Sequence, residues 1–120
     1  MYTLAKPTPR LSHELRVHGR AGLVHRAVLR PPAGSLLAAV GQQLTVAVKI
    51  PVSNATTPRG EAPNAADIER GAALLLEAFV MHGLKHPRIV SLVAVSTHAQ
   101  PIMVCMEHMR HGDLRSYLRR

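Results

Sequence analysis

Alternating apolar and polar positions mark several short strands, and one longer apolar stretch has helical spacing. Leu44 to Val52 reads Leu-Thr-Val-Ala-Val-Lys-Ile-Pro-Val. Its alternation and β-branched content predict a strand. A side-chain period of two puts Val46, Val48 and Ile50 on one face and Thr45, Ala47 and Lys49 on the other. Upstream, residues 13–19 and 22–30 are rich in Val and Leu and predict two antiparallel strands, joined by a tip carrying Gly19 and Gly22. Pro31-Pro32 ends the second strand, residues 31–43 connect, and residues 53–63 form a loop by composition.

A helix is predicted from Asn64 to about Leu84. Asn64 can cap it, and Asp67 and Glu69 sit in the first turns, where the helix dipole favours negative charge. His86-Pro87 ends it, because the residue before a proline avoids the helical region. Ile89 to Ser96 and Ile102 to Glu107 predict two further strands across a turn at residues 98–101. Asp113 can cap a last helix beginning at Leu114. The order β-β-β-α-β-β-α predicts an α+β fold: a five-stranded antiparallel sheet, one packed helix and the start of a further helix. Residues 1–10, with Pro7 and Pro9, are expected to be a flexible leader.

Composition narrows the classes. A chain of 120 residues is one domain by length, and 47% apolar against 18% charged residues is the balance of a folded domain. No run of 18 or more apolar residues offers a membrane span. The start has no apolar core of a signal peptide, so a cytoplasmic location, or the cytoplasmic portion of a receptor, is expected. The one cysteine, Cys105, excludes a disulfide framework and reads as a small core residue rather than a nucleophile. Asn54-Ala55-Thr56 matches a glycosylation acceptor, without a secretion signal to support its use. His82 and His86 share a helix face but lack carboxylate or cysteine co-ligands, so no metal site is expected.

Fifteen Lys and Arg against seven Asp and Glu give a net charge of +8. That charge raises the question of nucleic acid. The basic residues are scattered, however, and only Tyr2, Phe79 and Tyr117 are aromatic, too few for a stacking platform. No nucleic-acid partner is expected.

Two features carry candidate chemistry. Glu77 lies among Ala73, Leu74, Val80, Met81 and Leu84 at helical spacing, an apolar setting in which a carboxylate needs a counter-charge. Lys49, ending Val46-Ala47-Val48-Lys49, is an equally isolated ammonium on the preceding strand. Either the two form an ion pair, or Glu77 sits at an exposed helix edge while Lys49 snorkels to solvent. The second feature is the turn from Val17 to Val24. Its glycines let backbone N–H groups approach phosphate oxygens, although most such turns are only hairpins.

In this order the motifs resemble the N-terminal lobe of a protein kinase, closest to the tyrosine-kinase branch. Gly19, Gly22 and Val24 match G-x-G-x-x-G-x-V from its second glycine on, and Val46-Ala47-Val48-Lys49 matches V-A-I-K. Glu77, His86-Pro87, Ile89-Val90 and Leu92 stand where tyrosine kinases carry the helix glutamate and the His-Pro-Asn-Ile-Val segment after it. Pro101 to Arg119 resembles the hinge of receptor-type members, with Gly112-Asp113-Leu114 and Tyr117-Leu118-Arg119 in place.

The resemblance implies an ATP-binding lobe over residues 11–109, with residues 110–120 leading out of the hinge into a helix of the second lobe. It implies that Lys49 and Glu77 form the catalytic ion pair and that Lys49 holds the α- and β-phosphates. Val17, Gly19 and Gly22 would lie over the phosphates, Val24 and Ala47 over the adenine. Met106 would be the gatekeeper, and Glu107 to Met109 the hinge whose backbone meets the adenine edge. The implied activity is transfer of the ATP γ-phosphate to protein hydroxyls, with magnesium. The alternative is a non-catalytic, kinase-derived interaction module. Two departures bear on that choice: Val17 replaces the first loop glycine, and Ala21 replaces the aromatic at the tip. The 120 residues contain neither His-Arg-Asp nor Asp-Phe-Gly, the sources of the general base and the metal ligands. The chain alone is therefore expected to be inactive, and to expose apolar surface that a second lobe would cover.

Overall fold

The computed structural model describes residues 17–19, 22–29, 34, 39–51, 62, 64–98 and 101–120. The expected leader 1–10, the first part of the first strand, Ala21 at the loop tip and Asn54 lie outside the described residues.

Five strands form one antiparallel sheet among the described residues: β1 (Val17–Gly19), β2 (Gly22–Leu29), β3 (Leu44–Ile50), β4 (Leu92–Ser96) and β5 (Met103–Glu107). Their spatial order is β1-β2-β3-β5-β4, so β3 lies at the centre. The helix α1 (Ala65–Gly83) packs on the sheet, and a short helix α2 (Leu114–Leu118) follows β5. Strand β3 ends at Ile50 because Pro51, with no N–H, cannot extend the ladder.

The period of two in β3 resolves as the sequence predicts. Val46 and Val48 are fully buried and pack with Ala27, Ala94 and Cys105 on one face of the sheet. The opposite face meets α1 through Val104, which packs against Leu74 and Ala78. Each fully buried valine contributes roughly 1.5–3 kcal/mol relative to exposure, so the two faces of β3 and β5 hold the fold together. A register irregularity between Leu92 and Ala94 inserts Val93 into β4. That extra residue keeps Leu92 and Val95 on the helix face while Val93 and Ala94 both turn to the other.

Two expectations need correcting. The fourth strand begins at Leu92, not Ile89. Pro87 starts a turn in which the Ile89 N–H donates to the His86 carbonyl (3.0 Å) and the Arg88 N–H to His86 Nδ1 (3.1 Å). Those bonds commit the backbone before Ile89 and Val90 can extend. The buried face of α1 also differs from the expected one. Gly71, Leu74 and Ala78 are buried, whereas Ala73, Val80 and Leu84 are exposed. Small residues decide this: Gly71 and Ala78 let the helix approach the sheet, and a Cβ on Gly71 would stand 3.0 Å from Ile102 Cδ1.

The helix ends follow the predicted chemistry. The Asn64 side chain accepts from the Asp67 N–H (2.9 Å), and the Asn64 carbonyl accepts from the Ile68 N–H (3.1 Å). The chain leaves the helix at Leu84, whose N–H donates to the Met81 carbonyl.

Candidate functional site

The site is assembled by strand register. Lys49 pairs across β3 with Val24 of β2 and with Val104 of β5, and Ala47 pairs with Met106 of β5. Directly paired residues of an antiparallel ladder point to the same side. Val24, Ala47, Lys49 and Met106 therefore share one face of the sheet, the face that carries α1. All four are partly buried, neither sealed in the core nor open to solvent.

Glu77 reaches this face from the helix. It follows Leu74 by three residues and precedes Ala78, the two residues that fix α1 against Val104. Its carboxylate brackets the Lys49 ammonium, with Nζ 2.7 Å from Oε1 and 2.8 Å from Oε2. The Lys49 side chain is 13% exposed and that of Glu77 43%. The pairing and the helix-edge position, opposed as alternatives in the sequence, are both realised. The carboxylate stays hydrated on one side while it neutralises an ammonium whose stem is covered. That lowers the desolvation cost that would attend a fully buried pair. The pair also holds the lysine in one orientation, with the charge at the edge of an apolar floor formed by Val24, Ala47 and Met106.

The glycine loop is described in part. Gly19 faces Gly22 and Val17 faces Val24 across β1 and β2, with Arg20 and Ala21 between them outside the described residues. Gly22 is held close to β3. A Cβ there would lie 2.5 Å from the Ile50 carbonyl oxygen and 3.2 Å from Lys49 Cγ. Only glycine permits that approach without displacing the strand that carries the lysine.

Beyond Met106 the chain leaves the sheet. Glu107 ends β5, where its N–H donates to the Ser91 carbonyl (2.9 Å) and its Oε2 accepts from the Ser91 N–H (3.2 Å). This two-way clip ties the start of the exit segment to the residue before β4. The sequence singles out Glu107 for its backbone and gives no sign of this side-chain role. The Met109 carbonyl accepts from the Gly112 N–H (3.1 Å), a turn in which Gly112 takes a φ of 76°, a value side chains disfavour. Asp113 then caps α2, its carboxylate accepting from the Ser116 N–H (2.9 Å) and hydroxyl (2.6 Å). Those bonds lower the Asp113 pKa.

Other candidates fall elsewhere. Cys105 is buried on the sheet face away from α1, and burial pushes its thiol up to about 11. His82 and His86 line an open cleft of about 850 Å³ between the end of α1 and β4, away from Lys49 and Glu77. Among the described residues no group of three or more His, Cys, Asp or Glu could hold a metal ion. Nor is any described helix long and apolar enough to cross a membrane.

Comparison with known proteins agrees with this geometry. Over 44 residues the chain is 48% identical to the human tyrosine-protein kinase FRK, covering 37% of this chain and 9% of the relative. Over 48 residues it is 50% identical to the protein sevenless of Drosophila melanogaster, covering 40% and 2%. Over 65 residues it is 37% identical to the tyrosine-protein kinase SRK2 of Spongilla lacustris, covering 54% and 18%. The matched segment thus spans less than a fifth of each relative. The family model for protein tyrosine and serine/threonine kinases matches residues 12–120. With nearly its whole length matched, and with the sheet and packed helix of a kinase N-terminal lobe, the chain belongs to the protein tyrosine and serine/threonine kinase family.

Proposed function

We propose that this chain is the ATP-binding lobe of a tyrosine-kinase-like phosphotransferase. The observation that carries the reading is the bidentate contact of Lys49 with Glu77 beside the apolar face of Val24, Ala47 and Met106. An ammonium fixed at the edge of a flat apolar floor suits a ligand with an aromatic base at one end and phosphates at the other. Lys49 holds the α- and β-phosphate oxygens, and Glu77 fixes its direction. Val24 and Ala47 cover the adenine, with Met106 as gatekeeper behind it. The backbone of Glu107 to Met109 meets the adenine edge, and Val17, Gly19 and Gly22 lie over the phosphates.

Magnesium, when bound with the nucleotide, neutralises charge developing on the transferred phosphoryl group. No residue of this chain is assigned to it, and none to proton removal from the acceptor hydroxyl. Residues 11–109 form the lobe in this reading and residues 110–120 lead out of the hinge. On these 120 residues alone the expected activity is nucleotide binding without phosphoryl transfer. In a complete domain it is transfer to protein tyrosine.

The test is the affinity of the chain and of Lys49→Met for magnesium–ATP, measured by titration calorimetry. A loss of tenfold or more in the variant, with an unchanged circular dichroism spectrum, is expected. Equal affinity would remove Lys49 from the phosphate role.

A further inference from the structure

The outward side of α1 carries a row of exposed apolar side chains. Ile68, Leu76, Phe79 and Val80 are 59, 66, 75 and 56% exposed. Leu76, Phe79 and Val80 recur at helical spacing on the side opposite Leu74 and Ala78, which face the sheet, and Ile68 lies on the flank of that stripe. Their exposed area is on the order of 500 Å², near the top of the range for the largest patch on a monomer.

We propose that this face pairs with the same face of a second copy, α1 against α1 in antiparallel fashion about a two-fold axis near Leu76. Self-complementarity is what favours a second copy over any other occupant. With Leu76 at the crossing point, Ala72 of one copy lies nearest Phe79 of the other, and Ala73 nearest Val80. Small residues thus receive large ones on both sides of the axis, as an isologous interface requires. All four are exposed.

Charge follows the same operator. Glu69 lies seven residues before Leu76, about 10.5 Å along the axis. Its side chain tilts further toward the N-terminus, so it arrives beside the end of the partner helix, where the exposed Lys85 follows the Leu84 cap. The two-fold axis makes each such pair twice. Two facing patches bury at most on the order of 1,000 Å², which makes the dimer a weak, reversible one. The net charge of +8 per copy opposes approach, but at physiological salt a Debye length of about 8 Å screens the distant part of it. This pairing is independent of nucleotide binding.

Sedimentation equilibrium of the full chain at physiological salt tests it. The expected result is a monomer–dimer equilibrium that Leu76→Glu abolishes with an unchanged circular dichroism spectrum, while Leu118→Glu on α2 leaves it intact. Glu69→Lys and Lys85→Glu should each weaken the dimer by about tenfold, since each pair occurs twice, and the double variant should regain the wild-type constant. A chain that stays monomeric at all concentrations overturns the proposal. So does association that survives Leu76→Glu, association lost on Leu118→Glu, or a double charge swap no better than the single ones.

Discussion

The unequal burial of the two charges in the Lys49–Glu77 pair predicts an unequal response to losing either partner. Lys49 is 13% exposed and Glu77 43%. Glu77→Gln leaves an ammonium largely shielded from water with no counter-charge and one weaker acceptor. Hydrogen bonds to charged groups are worth about 1.5–3 kcal/mol, and the retained amide oxygen recovers part of that, so a loss of about 1.5 kcal/mol is expected. Lys49→Met keeps the apolar stem and returns the carboxylate to water that already reaches it, so the loss should be under about 0.5 kcal/mol. The difference of about 1 kcal/mol corresponds to roughly 4 °C in melting temperature for a domain of this size. Urea unfolding followed by circular dichroism measures both variants against the wild type. If Lys49→Met is the more destabilising, or the two are equal, the assignment of the shielded partner is wrong. The pair also separates folding from binding: Lys49→Met should lose nucleotide while remaining the more stable of the two variants.

Three further outcomes follow from particular contacts. Gly22→Ala places a Cβ 2.5 Å from the Ile50 carbonyl; thermal melting should show a loss of about 1–3 kcal/mol, with weaker nucleotide binding because the Lys49 stem is displaced too. The Asp113 pKa is lowered by its bonds to Ser116, so its cap on α2 is present at full strength above the ordinary aspartate pKa. It is lost as pH falls through the lowered value, and the protection of the Ser116 amide, its exchange rate relative to an unstructured amide at the same pH, should fall over that acidic range and not above it. The Cys105 thiol, pushed up to about 11 by burial, should resist iodoacetamide at pH 8 in the folded chain and react on unfolding.

The sheet was legible in the sequence where one face is buried and the other is not. In β3 the alternation of Val46, Ala47, Val48 and Lys49 sorts core from site without further information, and Val46 and Val48 are fully buried as the pattern requires. The helix start was legible because Asn64 offers a specific bond to Asp67 that competes well with solvent. The start of β4 was not. Ile89 and Val90 have strand character, but a turn begun at Pro87 carries through them, and hydrogen bonds already made by His86 outweigh intrinsic preference.

The helix face was illegible for a different reason, one that bears on the site. From Gly71 to Leu84 the helix is apolar almost all round, so periodicity cannot say which side packs. The decision falls to size. Gly71 and Ala78 allow a close approach that Leu76 or Phe79 on that side would block. Turning the helix to bury those small residues has two consequences. It brings Glu77 to the flank that faces Lys49, not to the centre of the packed stripe, so the carboxylate can pair and remain hydrated. It also sends Leu76, Phe79 and Val80 outward. One rotational setting thus makes the ion pair and exposes the apolar stripe. A variant that enlarges Gly71 or Ala78 enough to rotate α1 should therefore disturb nucleotide binding and self-association together, although neither residue touches nucleotide or partner.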